Sequence, residues 1–203
     1  MALDAQKIEQ LLLEISRLDY PSFSSGHRSQ RERFDIRHWL CYLPESLATT
    51  LFDMLKPQFA ATGEDDVVVI GGPAISHFAD VNAICGWDTQ PFVVPKTLTA
   101  GDILGPLCAM VKKGSGELEF ANYNAVTAYY FNDNNVKLGK QRLEIRDARG
   151  ISDVLFLHLG GPRRFLVSKF RDSTEMTFTV ELKSGDLFRY SRETNRLWQF
   201  EVC

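Results

Sequence analysis

The side chains best able to bind a metal in this sequence are its histidines and cysteines, and their spacing matches no common site. No histidine is followed two positions later by Asp or Glu, which removes half of a two-histidine, one-carboxylate iron site. No two cysteines form a C-x-x-C pair, and the phosphate-binding, nucleophile-elbow and metalloprotease motifs are absent. The histidines and cysteines therefore indicate no standard catalytic or metal site. The four histidines and four cysteines are His27, His38, His77, His158, Cys41, Cys85, Cys108 and Cys203.

Positive charge is segregated along the chain, which has a net charge of -3. Residues 137–149 carry five cations against Glu144 and Asp147: Lys137, Lys140, Arg142, Arg146 and Arg149. An earlier basic stretch contains Arg28, Arg31, Arg33 and Arg37, and we expect it either to follow a phosphate backbone or to serve as a flexible linker. The alternative for both segments is a solvated surface whose charges contribute solubility alone.

The first element that the sequence predicts is an amphipathic helix, which precedes the earlier basic stretch. Its apolar side chains recur every three or four residues and are Ile8, Leu11, Leu12, Ile15 and Leu18. This stripe must dock either on its own domain or in the groove of a partner protein. Residues 21–35 lose the periodicity and indicate a linker or surface loop. We therefore expect an N-terminal segment, 1–36, with a helix and a basic linker, followed by a compact domain, 37–203.

The remaining pattern predicts an α+β fold. A second helix opens at Pro44 and ends at Pro57, and a third fits residues 100–113, with Gly114 as its cap. Seven short strands follow, and residues 183–186 form a turn. Helices followed by antiparallel strands favour a sandwich or jelly roll. The predicted strands are 117–120, 125–131, 152–159, 164–167, 176–182, 187–190 and 196–202.

Composition narrows the class of protein. The chain has 203 residues, of which 44% are hydrophobic and 24% charged, values typical of one large domain or two small ones. No apolar stretch is long enough to span a bilayer, and the N-terminus is charged where a signal peptide would be apolar. We expect an intracellular protein, cytoplasmic or nuclear, with no membrane contact.

Several segments, taken in order, resemble the AlkB family of 2-oxoglutarate and Fe(II) dependent dioxygenases. Residues 153–165 are similar to the family pattern "I.SLSLG..R.F", and residues 180–190 to "V.L..GDL..M". The other matching segments are 44–56, 77–80, 95–98, 123–131 and 194–202. The resemblance implies a double-stranded β-helix, or jelly roll, with flanking N-terminal helices.

The departures from the family pattern fall on the metal and cofactor positions. Gln141 stands where the family has its first histidine ligand, and Leu143 stands where it has the carboxylate ligand. Phe200 stands where the family has its second histidine ligand. Tyr129 and Phe131 occupy the positions of the cofactor-binding Asn and Tyr, and we expect the chain to stop before the arginine-bearing cofactor strand. Neither Leu nor Phe has a lone pair for iron, so the resemblance implies no bound cofactor.

A degenerate member of this family implies a binding or scaffold subunit in a nucleic-acid-associated assembly. Residues 137–149 lie beside the active-site mouth in the family, which makes their five cations candidate contacts for RNA or DNA. A protein partner could bind the N-terminal helix or the jelly-roll surface. The alternative is an active demethylase with non-standard metal ligands. His158 alternates with Val154 and Phe156, and it could face the old cofactor cavity or be a core histidine.

Overall fold

The computed structural model describes residues 5–18, 25–29, 33–60, 67–68, 74–79, 96–97, 125–131, 135–141, 154–170 and 178–203. These residues form a mixed α+β fold whose strands are mostly antiparallel, which confirms the predicted class. The helices are α1 (Ala5–Ser16), α2 (Glu45–Ala60) and α3 (Arg192–Leu197). The strands are β1 (Ser25–Ser29), β2 (Phe34–Trp39), β3 (Val67–Val68), β4 (Ala74–Ala79), β5 (Lys96–Thr97), β6 (Ala125–Tyr130), β7 (Leu138–Gln141), β8 (Val154–Leu157), β9 (Arg163–Lys169), β10 (Phe178–Leu182), β11 (Leu187–Tyr190) and β12 (Trp198–Val202).

Two antiparallel sheets share one aromatic core. The first has the strand order β1-β2-β11-β8 and the second β10-β9-β12-β7. Alternate residues of their strands point into this core, as in β10, where Phe178, Val180 and Leu182 are sheltered and Thr179 and Glu181 are exposed. The predicted alternation over this strand is therefore confirmed. The largest buried core residues are Phe165, Phe188, Tyr190, Trp198 and Phe200.

Helices cover the part of the opposite face of the first sheet that contains Trp39 and Leu187. The side chains of Ile8, Leu11 and Ile15 on α1 join Leu51 and Leu55 of α2 in a second buried cluster. Trp39 and Leu187 supply the sheet side of that cluster. The amphipathic stripe of α1 is confirmed, and its apolar face is used within the chain itself.

A third sheet has the order β3-β4-β5, with β6 also paired to β4. The β4–β5 pair is parallel and the others are antiparallel. Helix α2 packs against β6, and Tyr130 at the end of this strand contacts the helical cluster. This places the end of β6 beside the helical cluster.

Residues 21–35 differ most from the expectation of a linker. Ser25–Ser29 pairs with β2 as an antiparallel hairpin, because each strand gains a neighbour for its backbone groups. Strand β2 also crosses the predicted boundary between residues 36 and 37. The first half of the chain contains strands β1 to β5, so the expectation of a helical first half is wrong.

Other element boundaries also change. Helix α2 continues through Pro57 to Ala60, although proline has no N–H to donate to the Asp53 carbonyl. The turn at residues 183–186 is confirmed, but it passes from β10 in the second sheet to β11 in the first. The predicted helix 100–113 and strand 117–120 lie outside the described residues.

Gly185 is required in this turn. Its φ is +90°, and a Cβ there would overlap the Leu43 carbonyl oxygen. The close approach lets the Leu43 N–H donate to the Gly185 carbonyl at 2.9 Å, which joins the entry to α2 to the turn.

No helix within the described ranges is long and apolar enough to cross a bilayer.

Candidate functional site

Strands β7 and β12 place Gln141 and Phe200 side by side. The two residues are register partners in an antiparallel pair, and Val202 pairs with Leu138 beyond a bulge. Directly opposed residues project to the same face of a sheet, with Cβ atoms about 5 Å apart. Two positions separated by 59 residues in sequence are therefore neighbours on the core side of the second sheet.

The surroundings of Phe200 are aromatic and dry. Its ring stacks on Phe165 at 5.1 Å with an interplanar angle of 9°, and it meets Phe156 edge-on at 5.2 Å. The Tyr190 ring lies 6.1 Å away, and only 1% of Phe200 is exposed. Such edge-to-face and stacked pairs stabilise beyond the area that they bury. This position contributes packing and offers no donor atom to a metal.

Tyr129 and Phe131, at the end of β6, pack against the same two-sheet core. Burial raises the pKa of the Tyr129 hydroxyl well above its usual value, so Tyr129 is neutral at every physiological pH. The Arg163 guanidinium lies 4.7 Å from the centre of the Phe131 ring and donates to the Val136 carbonyl at 2.9 Å. Both predicted cofactor positions therefore adjoin the cluster that contains Phe200.

His158 follows β8 and has a backbone partner for its ring. Its Nε2 lies 2.7 Å from the Gly161 carbonyl oxygen, a distance at which the ring N–H donates. Burial lowers the pKa of the imidazole, and this outweighs the opposite effect of that hydrogen bond. The neutral form is favoured, which agrees with a satisfied histidine rather than a cation.

Asp186 is a buried polar residue that the sequence reasoning did not single out. Its carboxylate, 1% exposed, accepts hydrogen bonds from the N–H groups of Cys41 and Lys183 at 2.9 Å. It also lies 3.0 Å from Nε2 of His38. Because these donors come from the end of β2 and from the 183–186 turn, the carboxylate joins the two elements. An aspartate after a turn glycine, next to a buried strand, is the signal that could have identified it.

The predicted basic segment is described only in part. Lys137 and Lys140 are exposed at β7, a strand paired only with β12 among the described residues. Arg142, Leu143, Arg146 and Arg149 lie outside the described residues. The structure therefore brings two of the five candidate cations to the strand that carries Gln141.

The donor set at these positions does not fit an Fe(II) site. The Gln141 amide oxygen is a weak neutral donor, and Phe200 has none, whereas iron sites of this type need imidazole and carboxylate ligands. Within the described part of the chain, no group of three or more His, Cys, Asp or Glu side chains is arranged to hold a metal.

The comparisons with known proteins add no family. No model of a known protein family matches this sequence, and no curated protein matches it.

Proposed function

We propose that this chain is a catalytically inactive AlkB-like module that acts as a binding or scaffold subunit in a nucleic-acid-associated assembly. The observation that carries the proposal is the register of β7 and β12, which puts Gln141 opposite Phe200. The resemblance assigns these two positions to two ligands of one ion, and ligands of one ion must be close together. Their adjacency supports the resemblance, and their side chains support the loss of iron.

The order of the strands supports a jelly roll. Strands β7, β9, β10 and β12 lie in one sheet, whereas β8 and β11 lie in the other. The chain thus crosses repeatedly between two facing antiparallel sheets, as jelly-roll chains do. The resemblance implies that the family's cofactor would lie in the region that this aromatic core fills.

The packing around Phe200 supports an inactive module. When a metal is absent, an apolar side chain at a ligand position avoids the free-energy cost of burying a polar group without a partner. Phe200, at one position that the resemblance assigns to a metal ligand, packs in this way against Phe165 and Phe156. A domain in this state retains its surface, which is the part that binds partners.

The exposed surfaces support partner binding in two places. Lys137 and Lys140 offer positive charge beside β7 for RNA. The exposed side of α1 carries Lys7, Glu9 and Glu14. Because its apolar side is buried in the domain, a protein partner that uses this helix must contact the polar side.

The metal-site hypothesis is tested by restoring the ligands. We expect the triple variant Gln141→His, Leu143→Asp, Phe200→His to bind Co²⁺ and develop visible d–d absorption, whereas the wild-type chain binds neither Fe(II) nor 2-oxoglutarate in anaerobic titrations. The matched control carries Gln199→His in place of Phe200→His, because Gln199 directly precedes Phe200 in β12 and projects to the opposite face. The control is expected to lack the absorption.

Two results would contradict the proposal. Stoichiometric binding of Fe(II) and 2-oxoglutarate by the wild-type chain would favour the alternative, an active demethylase with non-standard ligands. Equal Co²⁺ absorption in the triple variant and its control would show that the three positions are not gathered at one site. Circular dichroism of each variant establishes that it is folded.

A further inference from the structure

The β1–β2 hairpin places arginines on one face of the first sheet. Arg28 is the register partner of Asp35, and Arg37 follows two residues later on the same face of β2. Phe34 and Ile36 point the other way, into the aromatic core. Within the stretch that the sequence suggested as a linker, residues 25–29 therefore form a strand paired with β2, and Arg28 and Arg37 share one face of this pair.

Arg33 adds a cation at the entry to β2. Its side chain is exposed, and its φ of +50° lies in the left-handed region that favours Gly or Asn. An arginine in this conformation costs about 1 kcal/mol relative to a compatible glycine.

Helix α3 brings two more arginines to the same strand. The Ser191 N–H donates to the Asp35 carbonyl at 3.1 Å, and the Asp35 N–H donates to Thr194 Oγ1 at 2.7 Å. These bonds fix the start of α3 beside the start of β2. Arg192 and Arg196 are exposed and four residues apart, so they project from the same side of the helix.

Together these residues form a local excess of positive charge, which we name the arginine surface. Its members are Arg28, Arg33, Arg37, Arg192 and Arg196. Among the described residues of these segments the carboxylates are Asp35, which lies 3.8 Å from the Arg37 guanidinium, and Glu193, whereas the whole chain carries a net charge of -3. Arg189, the register partner of Arg37 on β11, projects to the same face beside it and is buried.

The chemistry of this surface favours a nucleic-acid backbone. Guanidinium groups bind phosphate oxygens through two parallel N–H donors, and facing strands space their side chains by about 5 Å, or 7–8 Å along the diagonal. A membrane-docking surface would add exposed apolar side chains. The exposed large apolar residues of the described part of the chain, Leu13 and Leu40, lie on α1 and after β2, outside the arginine surface.

We propose that the arginine surface binds the phosphate backbone of RNA without base specificity, and that it is a separate site from Lys137 and Lys140. The inference rests on the proposed function in one respect, the association of the module with nucleic acid. Binding of this kind weakens as salt rises, because each neutralised phosphate releases counterions.

The test measures fluorescence anisotropy of labelled poly(U) of about 20 nucleotides as KCl is raised from about 50 mM. We expect Arg28→Glu/Arg33→Glu to bind at least about tenfold more weakly, with a smaller salt slope. The matched control, Lys56→Glu/Lys183→Glu, changes the net charge equally at two exposed sites outside the surface. It is expected to change affinity less than about threefold. Arg192→Glu/Arg196→Glu repeats the test from α3, should the hairpin variant fail to fold.

Three results would overturn the inference. Equal losses in the hairpin variant and its control would indicate a general charge effect. A loss confined to Lys137→Glu/Lys140→Glu would move RNA binding to β7 and leave the proposed function intact. Binding to poly-glutamate, or to phosphatidylcholine vesicles with about 30% phosphatidylserine, without binding to poly(U) would assign the surface to an acidic protein or a membrane.

Discussion

At the scale of single residues, Asp186 shows how one buried carboxylate can tie distant parts of the chain together. It receives backbone hydrogen bonds from Cys41 and Lys183 and contacts His38, which is 7% exposed. Hydrogen bonds to charged groups contribute about 1.5–3 kcal/mol, more than those between neutral partners. The connection between β2 and the 183–186 turn therefore depends strongly on the negative charge.

We expect Asp186→Asn to lower the free energy of unfolding by about 3 kcal/mol, because the amide NH₂ would face a backbone or ring N–H donor. Urea unfolding followed by tryptophan fluorescence measures this change. Asp53→Asn on the exposed side of α2 is the control, with an expected change within about 0.5 kcal/mol. Similar values for both variants would contradict the role given to Asp186.

The sequence anticipated individual residues unevenly. The resemblance paired Gln141 with Phe200 as positions of one site, and the β7–β12 register makes them neighbours. Asp186 and its contact with His38 were not anticipated, because these residues lie 148 positions apart and no local pattern links them. A hydrogen bond between distant segments depends on the tertiary fold, which periodicity does not report.

At the scale of elements, α1 illustrates a helix whose apolar side is used internally. Ile15 is 1% exposed, whereas Leu13 on the same helix is 48% exposed. The helix thus offers two aliphatic residues of equal volume in opposite environments. Its contribution to the fold can be separated from a contribution to partner binding.

We expect Ile15→Ala to reduce the free energy of unfolding by about 2–5 kcal/mol, because it leaves a cavity in the helical cluster. Leu13→Ala is expected to change it by less than about 0.5 kcal/mol. Chemical denaturation of both variants makes the comparison. If Ile15→Ala were as mild as Leu13→Ala, α1 would not be packed on the domain in solution.

Elements with strong local patterns were predictable. The strict alternation before residue 182 and the apolar runs of β8, β9 and β11 predicted those strands. The hairpin β1–β2 was missed, since Ser, Gly, His and Arg have no apolar period and are ordered by pairing with a neighbour. Pro57 predicted the end of α2 too early, because packing elsewhere along a helix can outweigh one lost hydrogen bond.

At the scale of the whole molecule, one shifted pKa makes stability depend on pH. The pKa of His158 in the folded state is lowered from 6.5, chiefly by burial. As the pH falls through that value, the unfolded chain binds a proton before the folded chain does. His158 therefore makes the free energy of unfolding decrease as the pH falls below 6.5. The decrease is complete once the pH lies below the folded-state pKa of His158.

We expect His158→Gln to lose less stability than the wild-type chain between about pH 7.5 and about pH 5. Glutamine keeps an N–H donor for the Gly161 carbonyl and does not titrate. Urea unfolding at the two pH values measures both losses, and every other titrating group is common to the two proteins. Equal losses would show that His158 has the same pKa in the folded and unfolded chains.

The placement of β2 beside β11 has a consequence for the order in which the strands of the first sheet can pair during synthesis. Asp35 and Thr194 are bonded although they lie 159 residues apart, and β2 pairs with β11 across a similar length of chain. At about 5–20 residues per second, a ribosome takes on the order of ten seconds to synthesise the intervening segment. During that time β2 can pair with β1 along one edge, while its other edge waits for β11. Topologies of this kind fold slowly, and the early hairpin limits the strand edge left open to aggregation on the ribosome.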